Sequence, residues 1–167
     1  MSMTKRDRRE KLGSEPAEVA AEEQPYRLEE QIYRLEEQVG FILRRVHQRA
    51  TDTFNTVMAG FDITPRQFAV MAKLHDLGPT SQNQLGRLVA MDPATMFGVA
   101  GRLSKRGLIH QAVAPNDARL VILELTGEGR TLIEAMKARG LDVSRRTLEP
   151  LTAKEAETFL RLLGKMV

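Results

Sequence analysis

The residue types that most often perform catalysis are sparse in this sequence of 167 residues. Its three histidines, His47, His75 and His110, are far apart along the chain, and there is no cysteine. The HExxH, GxSxG and P-loop patterns are also missing. No close group of His, Asp and Glu has the spacing of metal ligands. These features argue against an enzyme, a metal site, a bound cofactor and a thiol-based sensor.

Positive charge is concentrated in the middle of the chain. The basic residues of this stretch include Arg87, Arg102, Lys105, Arg106 and Arg119. Between residues 87 and 119 the acidic residues are only Asp92 and Asp117, whereas glutamates are frequent between residues 15 and 37. This asymmetry predicts a face that binds a polyanion. The alternative is an ordinary solvated surface, because the net charge of the chain is only +3.

Asp117 precedes Arg119 by two positions, next to a turn predicted at Pro115, Asn116 and Asp117. Residues two apart in an extended segment share a face, so the carboxylate can hold the guanidinium in one pose. An arginine held near a hairpin tip suits the narrow, negative minor groove of A·T-rich DNA. Asn116, Asp117 and Arg119 are therefore candidate DNA contacts, and an internal ion pair is the alternative.

Two short helices are predicted before this turn. Ser81 can cap the first, with Leu85 and Leu88 inward. Asp92 and Pro93 open the second, which ends at Gly107. The inward residues of the second helix are Met96, Val99, Ala100 and Leu103. Two short helices joined by a brief turn make a helix-turn-helix.

The outer side of the second helix supplies candidates for reading bases. These are Ala94, Thr95, Phe97, Gly98 and Arg102. Phe97 can pack on a thymine methyl, with burial in the core as its alternative, and Thr95 can hydrogen-bond a base or a phosphate. The candidates for phosphate contacts are Ser81, Gln82 and Asn83 at the first helix and Lys105 and Arg106 at the end of the second. A solvated helix end is the alternative for the last two.

A second set of residues can form an apolar pocket with a few polar groups. The set comprises His47, Thr51, Phe54 and Met58, next to Leu43, and the opposing Phe68, Met71 and His75. A histidine there can receive the carboxylate of a small ligand. Ordinary packing of the two histidines is the alternative.

The elements that must hold these residues begin with a long helix, predicted from Pro25 to about Met58. It starts with the repeat YRLEEQI, YRLEEQV. Its apolar stripe consists of Leu28, Ile32, Leu35, Val39, Ile42 and Val46. The helix is too long for one small domain to cover, so we expect a seam between two subunits, with packing inside one chain as the alternative.

The remaining pattern completes the architecture. Thr64 and Pro65 restart a helix that ends at Gly78, residues 108–125 form a β-hairpin, and Thr126 and Thr152 cap two final helices. We predict a mainly α fold with a small β-hairpin, a winged helix-turn-helix whose terminal helices form a dimerisation domain. The predicted regions are a disordered tail (1–24), a dimerisation helix (25–63), the winged DNA-binding domain (64–125) and dimerisation helices (126–167).

Several short segments together resemble the MarR family of bacterial regulators. They are QLGRL (84–88), Asp92, Thr95, Leu103, GLI (107–109), Asp117-x-Arg119 and LTxxG (125–129). The resemblance implies a homodimer with one winged helix-turn-helix per subunit, released from DNA by a small ligand. GFILRRVHQRA (40–50) resembles the subgroup controlling breakdown of aromatic acids such as hydroxycinnamates and nicotinate. The chain departs from the family at Gln111, where arginine is frequent, and at Phe97 and Gly98, where a polar or basic residue is frequent.

The sequence thus predicts a cytoplasmic, homodimeric repressor that binds a palindromic operator in double-stranded DNA. Its predicted effector is a small aromatic carboxylate or thioester, and no membrane partner is expected, because no apolar run is long enough to span a bilayer. A helical adaptor that uses the winged domain to pack against other proteins is the alternative. The two differ in whether duplex DNA binds with a steep salt dependence.

Overall fold

A computed structural model describes residues 32–114 and 116–167, with Leu35–Val167 as one compact unit. Its helices and strands are α1 (Val39–Val57), α2 (Pro65–Leu77), β1 (Thr80–Ser81), α3 (Gln82–Leu88), α4 (Pro93–Lys105), β2 (Ile109–Ala114), β3 (Asp117–Leu125), α5 (Gly127–Thr147) and α6 (Ala153–Gly164). The mainly α winged helix-turn-helix fold is therefore confirmed. None of the helices within these described ranges combines the length and apolarity that crossing a membrane requires.

Side-chain caps start five of the helices at the predicted residues, including α3 at Ser81. Thr64 and Gln67 form a capping box at α2, and Thr152 and Glu155 form another at α6. The Asp92 carboxylate caps α4, and the Thr126 hydroxyl accepts a hydrogen bond from the N–H of Gly129 at 2.9 Å to cap α5. Because each cap satisfies N–H groups that a helix leaves unpaired, these short polar residues fix where the helices begin.

The β-hairpin of β2 and β3, called the wing below, belongs to a three-stranded antiparallel sheet in the order β1-β3-β2. Ile109 pairs with Leu125 and Val113 with Val121, and an irregularity follows Val113. The predicted hairpin is confirmed, but β1 was not expected. Its two residues pair with Ile122 and Leu123, so this strand exists only through partners distant in sequence.

The core lies between the sheet and the helices of the winged domain. Its fully buried side chains include Val70, Met71, Leu74, Leu85, Met96, Val99, Leu103, Leu108, Ile109, Leu123, Ile133 and Met136. All four residues predicted to face inward from α4 are buried. The prediction for Leu88 is wrong, because this side chain is half-exposed at the end of the short helix α3.

The prediction of a continuous helix from Pro25 is wrong within the described residues. Residues 32–34 have no regular structure, and a 3₁₀ turn spans Leu35–Glu37. The backbone of Gln38 is extended, so α1 begins at Val39. The stripe residues Ile32, Leu35, Val39 and Ile42 are exposed. Helix stability comes mainly from packing an apolar face, which these side chains lack within one chain. Leu28 and the predicted tail lie outside the described residues.

The start of α5 touches the backbone that leads into β2. A Cβ added at Gly129 meets the carbonyl oxygen of Leu108 at 2.0 Å, and that oxygen also accepts the N–H of Thr126. A side chain at position 129 therefore separates α5 from the sheet. Only glycine permits this close approach.

We expect Gly129→Ala to lower the free energy of unfolding by about 2–3 kcal/mol, because the clash is with fixed backbone. Chemical denaturation measures the change. Gly127→Ala is the matched control in the same helical turn, since nothing lies within 4 Å of its added Cβ. Equal stability of the two variants contradicts the close packing at Leu108.

Candidate nucleic-acid interface and ligand-binding face

Helix α4 presents its outer side to solvent. Phe97 is 71% exposed, so its predicted exposure is confirmed and the alternative of burial is wrong. Ala94 is exposed beside it. The Arg102 guanidinium bends back over the helix, with Nη1 at 3.4 Å from the place of a Cβ on Gly98. The absence of a side chain at Gly98 thus makes room for Arg102.

The first turn of α4 is organised by Asp92. One carboxylate oxygen accepts the N–H of Thr95 at 2.9 Å, and the other accepts the Thr95 hydroxyl at 2.6 Å. The hydroxyl and then the N–H of Thr95 lower the pKa of Asp92 below its usual value. Asp92 therefore carries a negative charge at the start of the helix.

The start of α3 lies next to both α4 and the wing. Gln82 and Asn83 line a cavity of about 240 Å³ together with Pro93 of α4. The same two residues line a cavity of about 60 Å³ with Arg119 of β3. The predicted residues Gln82 and Asn83 therefore lie beside both the start of α4 and Arg119 of the wing. The Ser81 hydroxyl accepts the N–H of Gln84 at 3.4 Å and acts as the predicted cap.

The wing uses its acidic residue differently from the prediction. Asp117 Oδ1 accepts the backbone N–H of Arg119 at 2.9 Å rather than holding the guanidinium. Short polar side chains at turns readily make such local bonds to the backbone. Asn116, Asp117 and Arg119 are all exposed. The guanidinium of Arg119 makes no ion pair within the described part of the chain.

The two basic residues at the end of α4 differ. Lys105 is exposed. Arg106 donates from Nη1 to the carbonyl of Asp62 and from Nη2 to the carbonyl of Phe61 at 3.4 Å, and its Nη1 lies 3.6 Å from the Asp62 carboxylate. Arg106 therefore ties α4 to the loop between α1 and α2, and this geometry does not support its predicted phosphate contact.

The predicted ligand residues divide into a packed group and a polar group. The Phe54 and Phe68 rings meet edge to face with their centroids 5.6 Å apart, and Met58 and Met71 are buried in the same core. His47 is exposed on α1, and the Thr51 hydroxyl donates to the carbonyl of His47 at 3.0 Å. Phe54 and the His47–Thr51 turn thus occupy successive turns of α1, and Phe68 reaches Phe54 from α2.

His75 belongs to a polar cluster between α2 and α5. Its Nε2 lies 3.3 Å from Glu134 Oε1, and its Nδ1 lies 3.4 Å from Lys137 Nζ. Lys137 also bonds Asp76 at 2.7 Å, and this bond lowers the pKa of Asp76. A neutral imidazole that donates from Nε2 fits both contacts. A ligand at His75 must therefore compete with Glu134 and Lys137, which the sequence did not indicate as its partners.

A cleft of about 820 Å³ opens on another side of α1 and contains none of the predicted ligand residues. It is lined by residues of α1, including Ile42, Arg45 and Gln48, and by Arg146 near the end of α5. Arg49 donates to the carbonyls of Arg146 and Thr147 at 3.3 and 3.2 Å. This contact was not predicted, because it joins residues almost a hundred positions apart and leaves no local pattern in the sequence.

Gln111, the first departure from the family pattern, donates from its side chain to the carbonyl of Ala100 at 3.2 Å. It therefore connects β2 to α4.

Within the ranges that the structure describes, no three His, Cys, Asp or Glu side chains are grouped as metal ligands.

Comparison with known proteins places this site in a family. The model of the MarR family matches residues 63–121, from the end of the α1–α2 loop through the wing. The HTH-type transcriptional repressor NicR of Pseudomonas putida is 37% identical over 129 residues, which cover 77% of this chain and 82% of NicR. The chain belongs to the MarR family.

Solved structures agree with this membership. BpsR of Bordetella bronchiseptica, studied for regulation of its DNA binding by 6-hydroxynicotinic acid, superimposes with a TM-score of 0.76 at 34% identity, covering 81% of this chain and 97% of BpsR. A variant of Escherichia coli MarR complexed with operator DNA superimposes with a TM-score of 0.71 at 26% identity, covering 77% of this chain and 92% of that variant. This MarR-family chain is a transcriptional regulator with a winged DNA-binding fold and is not an enzyme.

We expect Arg106→Ala to lower the free energy of unfolding by about 1–2 kcal/mol, because two carbonyl groups lose a charged donor. Lys105→Ala, at the exposed neighbouring position, is expected to change it by less than about 0.5 kcal/mol. Urea denaturation of both variants measures the difference. If the Lys105 variant is the less stable of the two, Arg106 does not hold the α1–α2 loop.

Proposed function

We propose that this protein is a homodimeric, sequence-specific transcriptional repressor that leaves its operator when a small aromatic carboxylate or its thioester binds. The observation that carries the proposal is Phe97, a large apolar side chain exposed on the outer side of α4. The repressor function of NicR and the DNA complex of the MarR variant support it. A regulator of this kind acts in the cytoplasm, where a bacterial chromosome lies.

The DNA contacts that we propose combine base reading with phosphate binding. Phe97 contacts a thymine methyl in the major groove, flanked by Ala94, Gly98 and Arg102. Arg119, with Asn116 and Asp117 at the wing, lies in the adjacent minor groove. The proposed backbone contacts are Ser81, Gln82, Asn83 and Lys105. Two such faces in a symmetric dimer require an inverted-repeat operator with half-sites about 34 Å apart.

We expect Phe97→Ala to reduce discrimination at one or two base pairs by about 1–3 kcal/mol. Arg119→Ala is expected to weaken binding to all sequences. It is also expected to reduce the slope of log affinity against log salt concentration by about one, because one cationic side chain that displaces a counterion from DNA is lost. Fluorescence anisotropy with operator and unrelated duplexes measures both.

Lys154→Ala, exposed on α6, is the control for both DNA-binding variants. A wild-type protein that binds no duplex in a salt-dependent way supports the protein adaptor instead.

The dimer proposal rests on apolar faces that one chain leaves uncovered. Val39 and Ile42 of α1 are exposed, and so are Leu160 and Leu162 of α6. No residue of α6 is fully buried, although its strongly amphipathic sequence has an apolar face. A second copy that pairs terminal helices covers both faces. Exposed apolar area of this kind marks an interaction surface.

We expect Val39→Asp to convert the dimer to monomers, as measured by light scattering. A carboxylate in the first turn favours the α1 helix itself, so dissociation reports on the uncovered face rather than on helix loss. Asn55→Asp, at an exposed position of the same helix, is the control and is expected to remain dimeric. A monomeric wild type contradicts the proposal.

The proposed effector site uses the polar turn of α1 and the adjacent aromatic pair. His47 fixes the carboxylate, and Thr51 lies beside it and donates to the carboxylate only by releasing the carbonyl of His47. The ligand ring enters beside Phe54 and Phe68, near Met58, Met71 and His75. Because Phe54 and Phe68 connect α1 to α2, a ring inserted there shifts the winged domain relative to the terminal helices. The regulation of BpsR by 6-hydroxynicotinic acid supports the ligand class.

We expect His47→Ala to weaken binding of 6-hydroxynicotinic acid at least tenfold, because a charge-assisted hydrogen bond worth roughly 1.5–3 kcal/mol is lost. Calorimetry with and without operator DNA measures the affinity and its coupling. Gln48→Ala, an adjacent exposed residue that lines the 820 Å³ cleft, is the control. A loss with Gln48→Ala alone locates the ligand in that cleft and overturns the site at His47.

A further inference from the structure

The first turn of α4 contains a hydroxyl whose hydrogen-bonding direction is fixed. We propose that Thr95 distinguishes amino from keto groups on DNA bases because Asp92 takes its hydroxyl proton in a hydrogen bond. Asp92 Oδ2 lies 2.6 Å from Thr95 Oγ1, and Asp92 Oδ1 lies 2.9 Å from the Thr95 backbone nitrogen. The inference rests on the proposed DNA-binding role of α4 and specifies which chemistry this residue reads.

The direction of the bond follows from the donors present. A threonine hydroxyl has one proton to donate and two lone pairs that accept, whereas a carboxylate only accepts. Both Asp92 oxygens accept from Thr95, and these bonds keep the carboxylate ionised by lowering its pKa. The short bond between Oγ1 and Oδ2 therefore consumes the proton of Thr95. What Thr95 offers to any other molecule is an acceptor.

An acceptor in the major groove selects among the bases. Adenine presents the N6 amino group and cytosine the N4 amino group, whereas thymine O4 and guanine O6 are acceptors. Phosphate oxygens also only accept, and the charge of Asp92 repels them. Thr95 therefore favours an adenine or cytosine edge over thymine, guanine or the DNA backbone. This excludes the phosphate contact that the sequence left open for Thr95.

The position of Thr95 suits this reading. The first residues of a recognition helix are those that contact base edges. Thr95 is half-buried on the flank of α4, and Phe97 is exposed two residues later. An apolar contact at Phe97 and an acceptor at Thr95 together select two different features of adjacent base pairs.

Asp92→Asn reverses the direction of the hydrogen bond between residue 92 and the Thr95 hydroxyl without removing the helix cap. Asparagine is as good an N-cap as aspartate, and its amide oxygen can accept the Thr95 N–H in place of Asp92 Oδ1. Its NH₂ then replaces Oδ2 and donates to Thr95 Oγ1. The hydroxyl proton of Thr95 becomes available to thymine O4 or guanine O6. The substitution thus predicts a change from amino to keto preference.

The experiment selects bound sequences from a randomised duplex pool with the full-length protein, then measures affinities by anisotropy. The variants are Asp92→Asn, Thr95→Val, which keeps the backbone cap and removes the hydroxyl, and Thr95→Ser, which keeps the hydroxyl. Thr131→Val is the matched control, since the Thr131 hydroxyl bonds the Gly127 carbonyl within α5. Duplexes with purine for adenine, or pyrimidin-2-one for cytosine, lack only the amino group. Thermal melting verifies that each variant is folded.

We expect one adenine or cytosine position at which loss of the amino group weakens wild type and Thr95→Ser roughly three- to tenfold, a typical value for one hydrogen bond. Thr95→Val is insensitive there, and Asp92→Asn selects thymine or guanine. The inference is overturned, and the proposed function is not, by either of two results. One is that the wild type binds the analogue and the parent duplexes equally at every position, and the other is that Asp92→Asn retains the preference for an amino group. Failure of the wild type to select any sequence overturns the proposed function and this inference with it.

Discussion

Burial of the inner side of α4 determines which of its side chains can reach another molecule. Met96, Val99, Ala100 and Leu103 are packed in the core, and they fix the rotation of the helix about its own axis. Phe97 is then directed to solvent. The orientation is stabilised at both ends, by the Asp92 cap at the start and by Arg106 at the α1–α2 loop. The outer face of α4 is therefore a consequence of the core and needs no DNA to form.

The terminal helices α1 and α6 differ from α4, because their apolar faces are not covered within one chain. Phe54 is the one fully buried residue of α1, and α6 has none. The winged domain, in contrast, contains most of the buried side chains. Folding of a single chain thus accounts for the DNA-binding half of the molecule. The stability of the other half depends on what covers the faces of α1 and α6.

Local chemistry made much of this fold predictable. Helix starts at Thr64, Asp92, Thr126 and Thr152 follow from side chains that bond N–H groups three residues later. Features that depend on distant partners were not predictable. Strand β1 exists through β3, and Arg106 bonds carbonyls more than forty positions away. The start of α1 was misplaced because heptad periodicity describes an apolar face and gives no information on whether a partner is present.

In the regulation that we propose, helix α5 is the element through which an effector and DNA influence each other. It contacts α2 through Glu134 and Lys137 at His75, and it contacts α1 through the carbonyls that Arg49 binds. The ring of Phe68 lies against Gly140 of α5 and the ring of Phe54 in α1, so it touches both helices.

A ligand that separates the rings of Phe54 and Phe68 must bind more tightly to the opened arrangement than to the packed one. Its effect on DNA affinity cannot exceed that difference in binding free energy. DNA must weaken the ligand by the same factor. The polar cluster at His75 opposes the opening, because separating α2 from α5 leaves Glu134, Lys137 and Asp76 without these contacts. In this proposal the coupling is therefore a balance between ligand binding at α1 and the contacts that hold α2 to α5.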